Sequence, residues 1–147
     1  MSKENLNKNK IKYSINLKLN TMQNQNLCQK VIEEVYTYTD AIQDSRFSWY
    51  AGISKDVKIR KGQHKRSGMF PIVENFNSWY VETLENAQYI ENKLNEIGFC
   101  ITKEEVEKVL GTKIDEKKLS LSGLLEGLTA DSKYIYCFRF IDLKKKN

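Results

Sequence analysis

A chain of 147 residues and 17.2 kDa has room for one domain with one core and not for two. Its 40% hydrophobic and 11% aromatic content suits a packed protein and excludes collagen-like, coiled-coil and disordered classes. Twenty-four Lys and Arg against nineteen Asp and Glu leave a net charge of +5, a bias that favours polyanionic partners.

Residues 1–10 are polar and basic, with almost nothing to bury, and read as a flexible tail. Ile11, Tyr13, Ile15, Leu17 and Leu19 alternate with Lys12, Ser14, Asn16 and Lys18, the period of a half-buried strand. After a polar turn at 20–26, Leu27, Val31, Val35, Tyr38 and Ile42 recur at helical steps, so a helix is expected over 27–43. Phe47–Ser54 (FSWYAGIS) is aromatic and β-rich, with Gly52 suiting a place where another backbone comes close. Ser54 or Asp56 can cap a following helix that runs to about Arg66, where Gly68 and Pro71 break it.

Ser78–Leu84 reads as a strand. Thr83 or Glu85 opens a helix striped by Ala87, Ile90, Leu94 and Ile97, with Gly98 placed for a left-handed end. Thr102 to Glu105 matches a reciprocal capping box, predicting a short helix to Leu110 that Gly111 ends. Residues 119–128 suit a helix or a loop, and Tyr134–Ile141 (YIYCFRFI) is the most strand-like run of all. Residues 144–147 form a basic tail, leaving 11–143 as the single domain.

No apolar run approaches bilayer length and residues 1–30 lack the apolar stretch of a secretory signal, so a cytoplasmic protein with no membrane partner is expected. Cys28, Cys100 and Cys137 are odd in number and widely spaced, which fits free thiols in a reducing compartment. With His64 the only histidine and no CxxC, a His/Cys zinc site is not expected.

The chemistry-bearing residues begin on the second helix. Arg60 and His64 are four apart and share one helical face, and a guanidinium that cannot lose its proton beside an imidazole suits a phosphate. From Lys55 to Arg66 there are six Lys/Arg and one acid, the strongest positive patch in the chain, with Lys55, Lys58, Lys61, Lys65 and Arg66 as candidate nucleic-acid contacts. A solvated basic helix with an incidental histidine produces the same pattern. Glu91, four after Ala87 and next to Ile90, sits at the edge of an apolar stripe, where a carboxylate needs an arginine or a hard cation. A surface glutamate paired with a lysine is the alternative there.

Tyr50-Ala51-Gly52, the arginine ten residues after Tyr50, the histidine four later and the glutamate in an A-x-x-x-E-x-x-L helix together resemble the GIY-YIG nuclease domain. The resemblance covers Phe47 to Lys93 and implies a small α+β fold, a three-stranded antiparallel sheet flanked by helices, here with an extra N-terminal strand and helix. It implies an endonuclease that hydrolyses phosphodiesters with one divalent metal. On that resemblance Tyr50 matches the tyrosine of the second motif, Arg60 stabilises charge on the phosphate, His64 stands beside it, and Glu91 holds Mg²⁺ or Mn²⁺.

The first motif departs from the family pattern: Val35–Ile42 has no Gly-Ile-Tyr. Tyr134-Ile135-Tyr136 resembles that strand moved to the C-terminus, which gives Tyr136 the role of the missing tyrosine, accepting or relaying the nucleophile's proton. An ordinary C-terminal strand is the alternative. Two functions follow. One is metal-dependent hydrolysis of nucleic acid, DNA favoured over RNA; the other is a non-catalytic module that keeps the fold to bind nucleic acid or a phosphorylated ligand, and a regulatory protein of a mobile element is compatible with either. Residues 99–133 hold no zinc knuckle or recognisable helix-turn-helix to supply specificity.

Overall fold

A computed structural model describes residues 3–68, 70, 72–114 and 128–141, with side chains from residue 22 onward. Four helices and three strands follow in the order α1 (Lys3–Ala41), β1 (Phe47–Ser54), α2 (Val57–Ser67), β2 (Val73–Tyr80), α3 (Leu84–Glu96), α4 (Lys103–Leu110) and β3 (Tyr134–Ile141). The architecture is α+β, with a three-stranded antiparallel sheet of order β1-β3-β2. The last strand in sequence is therefore the central one. Its composition explains the placement: YIYCFRFI is apolar on both faces, and a middle strand is covered on both.

The β3 residues alternate between two cores. Ile135 and Cys137 face the cluster built by Cys28, Val31 and Val35 of α1 and Ala87, Ile90 and Leu94 of α3. Tyr136, Phe138 and Phe140 face the opposite cluster with Phe70, Cys100 and Val106. The three cysteines are buried free thiols. Among the described residues no helix is long and apolar enough to cross a membrane.

Helix boundaries follow local chemistry. Asp56 caps α2 by accepting from the Ile59 amide at 3.1 Å, and Gly68 ends it at a φ of 66°. Thr83 caps α3 by accepting from the Asn86 amide. The Thr102/Glu105 capping box opens α4, which Gly111 closes in the left-handed region. Pro71 and residues 115–127, with most of the ambiguous 119–128 stretch, lie outside the described residues, as does the 144–147 tail.

Two expectations are corrected. Residues 11–19 are not a strand, and 20–26 are not a turn: one helix runs from Lys3, inside the expected tail, to Ala41. Apolar positions at 11, 15 and 19 are also four apart, so period-two alternation contains a helical spacing, and residues 1–51 hold neither Gly nor Pro to interrupt it. A strand also needs a partner edge. The outer edge of β1 is taken by Cys100, whose carbonyl accepts from Ala51 N–H and whose N–H donates to Trp49 O, both at 2.9 Å.

The second correction concerns β2, which starts at Val73 instead of Ser78 and stops at Tyr80. Its register against β3 shifts between Glu74 and Asn77, where Asn75 adopts a φ of 54°. This irregularity breaks the alternation that sequence reading depends on.

Candidate functional site

The residues expected to carry chemistry converge beneath α2. Arg60 and His64, one turn apart, are the two buried residues of that helix, at 9% and 1% exposure. Lys58, Lys61, Lys65 and Arg66 are exposed on it, and Lys55 is exposed just before it. The helix is thus two-sided: a neutral imidazole and one guanidinium buried, four cations exposed.

Under it lies the sheet face carrying Tyr50 and Tyr136. Tyr50 pairs with Phe138 and Gly52 with Tyr136 across β1 and β3. His64 Nε2 lies 2.9 Å from the Tyr136 hydroxyl. Aromatic rings close the surroundings: the His64 ring is 5.5 Å from Tyr50, 5.4 Å from Phe70 and 4.7 Å from Phe138. A hydrogen bond also joins the Tyr136 and Tyr50 hydroxyls.

The tautomer of His64 follows from the remaining nitrogen. Burial, aided by Arg60, pushes its pKa down to about 3, so the ring is neutral and carries one proton. Nδ1 is buried and has no hydrogen-bond partner among the described residues. A proton there strands an N–H, whereas a proton on Nε2 strands only a lone pair, and orphaned N–H groups are the rarer and costlier case. The Nε2–H therefore donates to Tyr136, whose own proton goes to the Tyr50 oxygen.

Glu91 completes the cluster from α3. Its carboxyl is pushed up to about 7 by burial and then by Glu105, and its charge in turn raises the pKa of both tyrosines. Burial also raises Tyr50 to about 12. Arg60 opposes this, favouring the ionised form of Tyr50 and of Tyr136. Arg60 and Glu91 thus act electrostatically on both phenols, and Arg60 on the imidazole as well, with the five residues contributed by β1, α2, α3 and β3.

Sequence reading missed three features of this site. Glu105 was visible as a capping residue, where its carboxylate accepts from Thr102 and Ile101 amides, but its effect on Glu91 depends on how α4 folds back. Phe70 packs against His64 with no signal in its neighbours. Gly52 faces a side chain instead of the expected backbone: a Cβ there would lie 2.5 Å from Tyr136 Cζ.

Hard oxygen donors fit a hard cation. Among the described residues no group of three or more His, Cys, Asp or Glu is placed to share a metal ion, so the protein side offers Glu91 and phenolic oxygens. That set suits Mg²⁺ or Mn²⁺, which keep several waters and take substrate phosphate oxygens beside one or two carboxylates. It does not suit zinc. Comparisons with protein-family models, with curated proteins and with solved structures find no match for this chain.

Proposed function

We propose that the protein is a metal-dependent phosphodiesterase acting on nucleic acid, with an arrangement resembling the GIY-YIG nuclease domain and its first-motif strand moved to the C-terminus. The observation that carries this reading is that Tyr50, Arg60, His64, Glu91 and Tyr136 come close enough to act on one another, beside a helix with four exposed cations. Residues as far apart in sequence as Tyr50 and Tyr136 have no packing reason to combine a guanidinium, a carboxylate and two phenols. Buried charge is costly, and a core that needed only packing would use apolar groups.

The roles follow from the geometry. The exposed lysines and Arg66 of α2 attract the polynucleotide backbone. Arg60 meets a phosphate and holds the extra negative charge that develops on it during displacement. Tyr50, supplied with hydrogen bonds from behind, donates its own proton to a phosphate oxygen. Tyr136 and His64 hold the Tyr50 hydroxyl in that orientation. Glu91 is the residue that holds Mg²⁺ or Mn²⁺, and a cation bound there supplies Lewis-acid stabilisation of the phosphate.

A non-catalytic binding module is the second reading. It is favoured by one observation: Tyr136 and His64 are each 1% exposed, so neither meets a ligand directly. Incubating the purified protein with plasmid, single-stranded DNA and RNA separates the two. Cleavage with Mg²⁺ or Mn²⁺ that chelator abolishes supports the enzyme; binding without cleavage under all metal conditions supports the module.

A further inference from the structure

The sheet face that carries Tyr50 and Tyr136 continues outward to a pair of tyrosines that the cluster does not use. Tyr80 of β2 and Tyr134 of β3 are directly opposed in the register, with ring centroids 5.3 Å apart. Alternation places Tyr134 on the same face as Tyr136, two residues away, a separation of about 7 Å. Tyr80 is 54% exposed, while the next residue, Trp79, turns to the opposite face and is packed against the core there. The pair therefore forms an aromatic step at the rim of the site.

Cations accompany this step. Tyr134 is opposed on its other side by Ser54, the last residue of β1, so the step lies at the end of the sheet where the chain turns into α2. Lys55 follows immediately and Lys58 lies in the first turn of α2, both exposed. The intervening Asp56 is engaged in capping the helix. Stacking surface next to cations, with the catalytic cluster one residue pair further in, is the chemistry that grips unpaired nucleotides; bases in a duplex present no open π-face to a protein side chain.

We propose that Tyr80 and Tyr134 form a stacking platform for an unpaired base next to the scissile phosphate, so that the substrate is a single-stranded or locally opened polynucleotide. This rests on the nucleic-acid reading above and goes beyond it by naming the strand state. The sugar is not selected by stacking, so DNA and RNA are both tested.

Fluorescence anisotropy in EDTA, which holds hydrolysis off, measures affinity for oligo(dT), oligo(U) and a DNA hairpin closed by a non-nucleotide linker, which has no unpaired base. Either or both single strands should bind more tightly than the hairpin. Tyr80→Ala should weaken single-strand binding by at least about fivefold and leave hairpin binding unchanged, with Tyr80→Phe restoring wild-type affinity because the ring face is kept. Because Tyr80 is exposed, the variant is expected to fold, and Tyr134→Leu gives a second, independent loss. Tighter hairpin binding, or single-strand affinity unaffected by both substitutions, overturns the platform while leaving the nucleic-acid reading intact. Absence of binding to all three probes overturns the nucleic-acid reading and the platform with it.

Discussion

Tyr136 stands directly across from Gly52 in the β1–β3 register, and its ring occupies the space where any side chain at position 52 would begin. The tyrosine reaches His64 only because that space is empty. Neither Tyr136 nor Gly52 moves easily, since both are buried within paired strands.

Gly52→Ala should therefore destabilise the fold by about 1–3 kcal/mol through overpacking and displace the Tyr136 hydroxyl from His64. Urea denaturation measures the first effect. A double-mutant cycle with Tyr136→Leu measures the second: the paired variant should lose less than the sum of the two single changes, because the collision is gone.

Tyr136→Phe removes the middle of the His64–Tyr136–Tyr50 chain. A stability loss of about 1–2 kcal/mol is expected for a buried hydrogen bond whose partner is left unpaired. The cleavage rate should fall about 10²-fold, the scale of general acid–base assistance, with nucleic-acid affinity unchanged. Equal rates in the two proteins would leave Tyr136 a packing residue.

Arg60→Lys should lose activity almost as fully as Arg60→Ala, since an ammonium does not reproduce the planar fork. Lys65→Ala and Arg66→Ala, on the exposed side of α2, should instead weaken binding modestly and reduce its salt slope by about one each. Measured salt dependence of binding beside cleavage rates distinguishes the inward arginine from the outward cations. Equal losses at all three positions would reduce the role of Arg60 to general attraction.

These residues show what the sequence made visible. The capping box, the α2 cap at Asp56, the i,i+4 pairing of Arg60 with His64 and the β character of YIYCFRFI are local, and all are found. Tyr134–Ile141 pairs with Phe47–Ser54 along its length, a partnership that no periodicity within either run reveals. What stayed hidden was tertiary or ambiguous. A period of two cannot be told from a spacing of four over residues 11–19, and the β2 irregularity at Asn75 obscures the start of that strand. The influence of Glu105 on Glu91 arises because the start of α4 comes back to the end of α3, where Asn95 donates to Glu105.

The pH dependence of stability has opposite signs at the two ends. His64 has a folded pKa near 3, below its ordinary 6.5, so the folded state binds fewer protons and stability is lost as pH falls from about 6.5 toward 3. Glu91, raised from 4.5 to about 7, binds a proton more readily when folded. Its contribution is present below pH 4.5 and is lost as pH rises through about 7. Thermal melts should show Glu91→Gln gaining stability over the wild type at pH 8 and not at pH 4.5. Mg²⁺ or Mn²⁺ should raise the wild-type Tm more at pH 8 than at pH 5, because only the ionised carboxylate holds the cation.

Glu91→Gln is also the most direct test of the proposed chemistry. The change keeps the shape of the side chain and removes the charge that holds the cation. Nicking of plasmid and cutting of single-stranded oligonucleotides are measured for both proteins with Mg²⁺ or Mn²⁺ and with chelator, after melts confirm that the variant is folded. Metal-dependent cleavage by the wild type, abolished by Glu91→Gln with nucleic-acid binding retained, is the expected result. Cleavage by Glu91→Gln at the wild-type rate would contradict it, since Glu91 would then not be the metal ligand.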